Sequence, residues 1–256
     1  MIEVTDLKKR FKLTGDQKKK IGNDSKSGVV DAVSGISFTC RPGRIFTLLG
    51  PNGAGKTTTL RMISTMLQPD GGTITVAGHD VVKQPEAARR HLGFLTGSTG
   101  LYDRLTPNEF VKYFADLHGM EKAKFQQKRD ELFSLLDIND FASRRIGKFS
   151  TGMKQKVSIA RTLIHDPDVI VFDEPTSGLD IISAQNIIQL IKRLRDDGKT
   201  IIFSTHIMGE VSLLSDDLAI VHQGKLCYNG SYQDFRQQMQ TDSLVDEFIR
   251  YVEEAA

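Results

Sequence analysis

Long apolar runs are missing from this sequence. The longest, at residues 45–49 and 169–172, have the length of buried strands and fall well short of the roughly 20 residues that cross a bilayer as a helix. The chain is therefore not expected to span a membrane on its own. Its first residues, Met1-Ile2-Glu3-Val4-Thr5-Asp6, lack the basic and then apolar stretches of a secretory signal, which predicts a cytoplasmic location. Cysteine is scarce. Cys40 and Cys227 lie far apart, with no Cys or His at metal-ligand spacing; this argues against a zinc motif and predicts reduced thiols. No excess of one charge is present either, since 34 Lys and Arg face 32 Asp and Glu, so net charge selects no class of partner.

What is present fits a globular chain with one good-sized core: 39% of its 256 residues are hydrophobic and 26% charged. Basic residues crowd near the start, from Lys8, Lys9, Arg10 and Lys12 to Lys18, Lys19, Lys20 and Lys26. Gly15, Asp16, Gly22, Asn23, Asp24 and Gly28 interrupt them, which predicts a solvated loop over residues 12–28. Beyond it, apolar runs at 45–49, 169–172, 200–203 and 218–221 read as strands, and residues 182–195 read as a helix. Such alternation predicts an α/β fold with a mostly parallel sheet and helices on its faces. Residues 101–165 are mainly helical in pattern, starting at Thr106-Pro107-Asn108-Glu109, where Thr is the N-cap, Pro opens the helix and Glu completes a capping box. In the tail, residues 243–254, Leu244, Val245, Phe248, Ile249 and Val252 share one helical side and are expected to pack on the chain's own domain.

Residues 45–49 run directly into Gly50-Pro51-Asn52-Gly53-Ala54-Gly55-Lys56-Thr57-Thr58, and a helix carrying Leu60, Ile63 and Leu67 on one face follows. A glycine-rich turn between strand and helix aims backbone N–H groups inward, and the helix dipole adds positive potential. The spacing from Gly50 to Gly55, Lys56 and Thr57 is that of a P-loop, in which the lysine neutralises phosphate charge and the hydroxyl faces Mg²⁺. Residues 169–172 deliver Asp173 and Glu174 to the carboxyl end of a core strand. Two adjacent acids there are costly without a compensating charge. Mg²⁺ supplies it for Asp173, while Glu174 polarises a water.

In this order, with Phe149-Ser150-Thr151-Gly152-Met153, Ser177-Gly178-Leu179-Asp180 and a lone His206 after a strand, the chain resembles ATP-binding-cassette (ABC) ATPases over nearly its whole length. The resemblance implies a P-loop NTPase core, an N-terminal antiparallel β subdomain and a helical insertion. Residues 1–95 and 166–230 are expected to form the nucleotide-binding core with its β subdomain, 96–165 the helical signature subdomain and 231–256 a helical tail. It also implies ATP and Mg²⁺ as cofactors, with residues 50–58 on the phosphates, Thr57 and Asp173 on the metal, and Glu174 and His206 catalytic. Ser150 and Gly152 would reach ATP held by a second copy in a head-to-tail homodimer, with Asp180 communicating between the two sites. Phe11 is the candidate for stacking on adenine, with a core position as its alternative.

Two departures stand out. The family signature reads Leu-Ser-Gly-Gly-Gln, and this chain has Phe149, Thr151 and Met153 at three of the five places. The glutamine normally found between core and insertion is replaced by Gly97, so Thr96 or Ser98 substitutes for it, or the loop acts as a hinge. The resemblance implies an ATPase on the cytoplasmic face of a membrane driving a separate permease, with no nucleic-acid partner expected. Residues 97–106 look like those of bacterial exporters, the sodium-extruding branch above all. Exporters of drugs, lipids or polysaccharide, and a soluble ABC ATPase acting on nucleic acid, are the alternatives.

Overall fold

The computed structural model describes residues 1–12, 28–96 and 100–254. The basic segment at 13–27 and the loop positions Gly97, Ser98 and Thr99 lie outside the described residues, and with them the questions of the basic loop and the missing glutamine.

Two sheets organise the chain. The first is antiparallel, in the order β2-β1-β4-β5, from β1 (Ile2–Lys12), β2 (Val29–Cys40), β4 (Gly71–Val76) and β5 (His79–Asp80). Along β1, Ile2, Val4 and Leu7 are buried. The register against β2 shifts between Val4 and Leu7, where Asp6 takes a left-handed φ of 46°, as a bulge requires. The second sheet runs β10-β9-β3-β8-β7-β6, from β3 (Arg44–Leu49), β6 (Leu92–Leu95), β7 (Val169–Asp173), β8 (Thr200–Thr205), β9 (Asp217–His222) and β10 (Lys225–Ser231). All its neighbours pair in parallel except β10 with β9. Every residue of β7 and β8 is buried. This accounts for their unbroken apolar runs, since a parallel sheet is covered on both faces.

Helices α1 (Lys56–Ile63) and α2 (Pro85–Arg90) precede the insertion, which is built from α3 (Pro107–Leu117), α4 (Lys122–Leu135), short 3-10 turns at Asn139–Phe141 and Ile146–Lys148, and α5 (Thr151–Leu163). Thr106 caps α3 in a full capping box with Glu109, and Pro107 stands in its first turn. Phe110, Val111, Val157, Ala160 and Ile164 join one core cluster with Phe172 and Phe203 of the sheet. The remaining helices are α6 (Ile181–Asp196), α7 (Met208–Leu214), α8 (Tyr232–Gln238) and α9 (Leu244–Glu254).

Two local expectations are corrected. Helix α1 stops before Leu67, because Thr65 adopts a left-handed φ of 60°; Leu67 still packs on the core from the turn. The tail helix packs on its own domain through Leu244, Phe248, Tyr251 and Val252, but Val245 and Ile249 are exposed. Its rotation follows from Glu247, fully buried, whose Oε2 accepts from the Gln240 backbone N–H at 3.0 Å and from the Thr241 hydroxyl.

Candidate nucleotide site

Strand β3 sits between β8 and β9 and delivers the glycine-rich turn to the carboxyl end of the sheet, where parallel α/β sheets bind ligands. Two of its glycines are required by space. A Cβ on Gly50 would stand 2.3 Å from the Val221 carbonyl oxygen, and one on Gly55 2.4 Å from that of Ala32. Gly55 also has a φ of 106° and is the N-cap of α1, with no side chain capping the helix. The first-turn N–H groups of α1 are thus left to an anion. Lys56 is buried, and its ammonium donates to the carbonyls of Gly50 at 2.6 Å and Pro51 at 3.1 Å, with Glu174 at 3.7 Å. Burial lowers the Lys56 pKa, while Glu174 and Asp173 oppose that fall. A cation so placed gains from any further negative charge in the loop.

Asp173 ends β7 and is buried. Its Oδ1 accepts from the Ser204 hydroxyl at 2.7 Å and from the Thr57 hydroxyl at 3.0 Å. Carboxylate and hydroxyl oxygens converging from the start of α1 and the end of β7 are the hard ligand set that suits Mg²⁺. Glu174 follows with a left-handed φ of 49°, uncommon for a residue with a Cβ and costly unless the surroundings hold it. Here its N–H donates to the Ser204 carbonyl and hydroxyl oxygens at 3.2 and 3.1 Å. The turn swings the carboxylate so that Oε1 lies 3.1 Å from Nδ1 of His206. A cleft of about 450 Å³ opens over these groups, lined by Asn52, Thr57, Thr151, Gln155, Asp173 and Glu174. Chemically it offers an anion cradle, a cation ligand pair and a carboxylate–imidazole pair able to orient a water.

The signature residues lie at the mouth. Ser150 caps α5, its hydroxyl accepting from the Met153 N–H at 3.3 Å, and its side chain is exposed. Asp180 caps α6 through the Ser183 N–H at 3.0 Å and hydroxyl at 2.7 Å. A Cβ on Gly152 would be 3.4 Å from that same Ser183 hydroxyl, so the two helix starts are neighbours. Phe11 pairs with Val30 across β1 and β2 and is 41% exposed, which overturns the core alternative. Val30 stands two residues from Ala32, whose carbonyl touches the cradle at Gly55. Thr96 is buried and lines the cleft.

Sequence reasoning missed Ser204 and Gln155, whose Nε2 donates to the Pro175 carbonyl at 2.6 Å and ties α5 to the loop after Glu174. The one signal for Ser204 was a hydroxyl pair ending an otherwise apolar strand.

Residues 33–177 match the family model described as ABC transporter. The ABC transporter ATP-binding protein NatA of Bacillus subtilis (strain 168) is 44% identical over 245 residues, covering 95% of each chain. The linearmycin resistance ATP-binding protein LnrL of the same organism is 34% identical, covering 87% of this chain and 72% of that one. A solved ATP-binding subunit of an ABC transporter superposes with a TM-score of 0.84 at 26% identity, over 98% of this chain and 99% of that one. With more than half of its length matched by the family model and nearly all of it aligned to one such protein, the chain belongs to the ABC transporter family, as an ATP-binding and ATP-hydrolysing cassette.

Proposed function

We propose that the cassette works as one half of a head-to-tail homodimer on the cytoplasmic face of a membrane, driving a separate permease as an exporter. The observation that carries the reading of the site is the convergence of Thr57 and Ser204 on one oxygen of Asp173, beside the chain Lys56, Glu174, His206. In this reading residues 50–58 and Lys56 hold the triphosphate, and Thr57 and Asp173 hold Mg²⁺, which neutralises phosphate charge when bound. Glu174 orients the attacking water, and His206 positions Glu174 and meets the γ-phosphate. Phe11 stacks on adenine. Positioning and charge neutralisation carry most of the acceleration in phosphoryl transfer. Glu174→Gln is expected to bind ATP normally and to lose at least about 100-fold in turnover; normal turnover in steady-state assays would remove the assignment.

Coupling to a membrane partner is supported by a groove of about 260 Å³ lined by Met66, Phe94, Phe114, Arg161 and His165, where the insertion meets edge strand β6. Arg161 lies over the Phe114 ring at 5.3 Å and donates to the Phe94 carbonyl at 2.9 Å. No carboxylate pairs with it among the described residues, and burial lowers its pKa to about 10. An apolar groove holding an unpaired guanidinium suits an amphipathic helix that brings an acidic residue.

For the cargo, the resemblance of residues 97–106 to sodium-extruding cassettes supports sodium. Efflux of radioactive sodium from vesicles carrying the complete transporter should exceed that of a Lys56→Ala control, and equal efflux would discard sodium. Export of drugs, lipids or polysaccharide is the second reading, favoured by similarity to the linearmycin resistance protein. A nucleic-acid role gains nothing from Lys8, Lys9 and Arg10, which pair with Asp6, Asp70 and Asp31.

A further inference from the structure

Glu210 lies in the first turn of α7 and is only 6% exposed. Among the described residues no Lys, Arg or His forms an ion pair with it. Its two oxygens accept instead from two hydroxyls of different segments, Thr176 in the loop after β7 on Oε1 and Thr205 at the end of β8 on Oε2. Both threonines are themselves buried, at 6% and 1% exposure. A buried carboxylate without a cation is costly and persists only where its acceptors are satisfied, so this three-residue bridge is a built feature of the core.

Its position is what gives it meaning. Thr176 stands in the middle of the loop after Glu174, where the Ser177 N–H donates to the Glu174 carbonyl and the Leu179 N–H to the Thr176 carbonyl, both at 3.2 Å. The outer members of that loop, Ser177, Gly178 and Asp180, are exposed. Thr205 immediately precedes His206. Its carbonyl accepts from the Gly50 N–H at 3.3 Å, and its hydroxyl accepts from the Ile207 N–H at 3.0 Å. One carboxylate therefore ties the exposed loop at 177–180, the His206 turn and the entrance of the phosphate cradle into a single hydrogen-bonded unit.

We propose that Glu210 is a positioning residue for hydrolysis, holding the 174–180 loop and the His206 turn in one arrangement so that contact on Ser177 and Asp180 is transmitted to the His206–Glu174 pair. The proposal rests on the reading of the site given above. A misplacement of about 1 Å is enough to slow a reaction whose geometry must be held, whereas Lys56 and the first-turn N–H groups of α1 are placed by Gly50, Pro51 and Gly55 and reach Glu210 only through the single Gly50–Thr205 backbone bond. The effect belongs in kcat and not in KM.

The test is a mutant cycle read by steady-state Mg-ATP hydrolysis per nucleotide-binding site. Glu210→Ala is expected to lower kcat about tenfold or more and to leave KM within about twofold. The isosteric Thr176→Val, which removes one tether and keeps the core volume, is expected to lower kcat in the same direction by a smaller factor, and it carries the test should Glu210→Ala fold poorly. Because Glu210 acts through His206, the double variant Glu210→Ala/His206→Ala should be no slower than His206→Ala alone. Losses that multiply in the double variant, or an unchanged kcat in Thr176→Val and Glu210→Ala alike, would overturn the proposal. Glu174→Gln run alongside separates the two failures: full turnover there sinks the reading of the site itself, while an inactive Glu174→Gln with a normal Glu210→Ala sinks only the role of Glu210.

Discussion

Gly50, Ala54 and Lys56 are buried by their own chain, whereas Ser150, Gly178, Asp180 and the two isoleucines that follow are turned out to solvent. The cradle is braced on three sides: Gly50 by Val221, Gly55 by Ala32, and Lys56 by the carbonyls of Gly50 and Pro51. Around the signature, Ser150 and Asp180 cap the starts of α5 and α6, yet Ile181 is 88% exposed and Ile182 74%. Two large apolar side chains at adjacent positions cost free energy in water and gain it when covered. The difference teaches that the chain braces the glycine-rich turn from within and presents the two helix starts outward, as the head-to-tail pair proposed above requires.

Disturbing the enclosed half should have the largest effect. Gly55→Ala forces a Cβ onto the Ala32 carbonyl at a φ that side chains rarely adopt, so nucleotide affinity, measured by titration calorimetry, is expected to fall at least about 100-fold. Unaltered affinity would mean the cradle relaxes freely. A smaller effect is expected on the outward half. Ile181→Ser/Ile182→Ser removes no buried contact from the single chain, so the melting temperature should hold while nucleotide-dependent self-association, followed by sedimentation, weakens about tenfold. Equal loss of both would place the isoleucines in the fold instead of the interface.

The smallest effect concerns neither half. His165 stacks face to face on His118 with ring centroids 3.8 Å apart, and its Nε2 lies 3.2 Å from the Leu92 carbonyl. Burial, then the neighbouring His118, lowers its pKa to about 4. The folded value is below the unfolded one, so the unfolded chain binds the proton first. Stability contributed by neutral His165 is complete above the unfolded pKa of about 6.5 and is lost as pH falls from there towards 4, on the order of 3 kcal/mol at most. Denaturant unfolding of wild type and His165→Phe should differ in pH slope across that window, and parallel slopes would dismiss the effect.

Much of this arrangement was legible beforehand where one short stretch of sequence determines the outcome. The turn at residues 50–57 announces itself because glycine spacing, strand and helix are contiguous, and α3 because Thr106, Pro107 and Glu109 form a local cap. The apolar stretches Val169–Phe172 of β7 and Ile201–Phe203 of β8 read correctly as buried strands because both faces of that sheet are covered. What stayed hidden depends on distant partners. Ser204, Gln155 and Glu210 look like ordinary polar residues until the fold sets them against Asp173, Pro175 and the two threonines. The end of α1 was missed because the backbone reversal at Thr65 carries no glycine or proline to mark it. The face of α9 was misjudged because a buried glutamate at position 247 outweighs an apolar count.

The claim that the site is shared between two copies has a direct measurement. Lys56→Ala and Ser150→Arg are each expected to be nearly inactive alone, the first lacking the phosphate cation and the second blocking the face offered to the neighbour. Mixed in equal amounts, half of the pairs would join one of each, and one of the two sites in such a pair would be intact. Hydrolysis should then recover to about a quarter of the wild-type rate. A mixture no more active than its two components would contradict a site completed by a second chain.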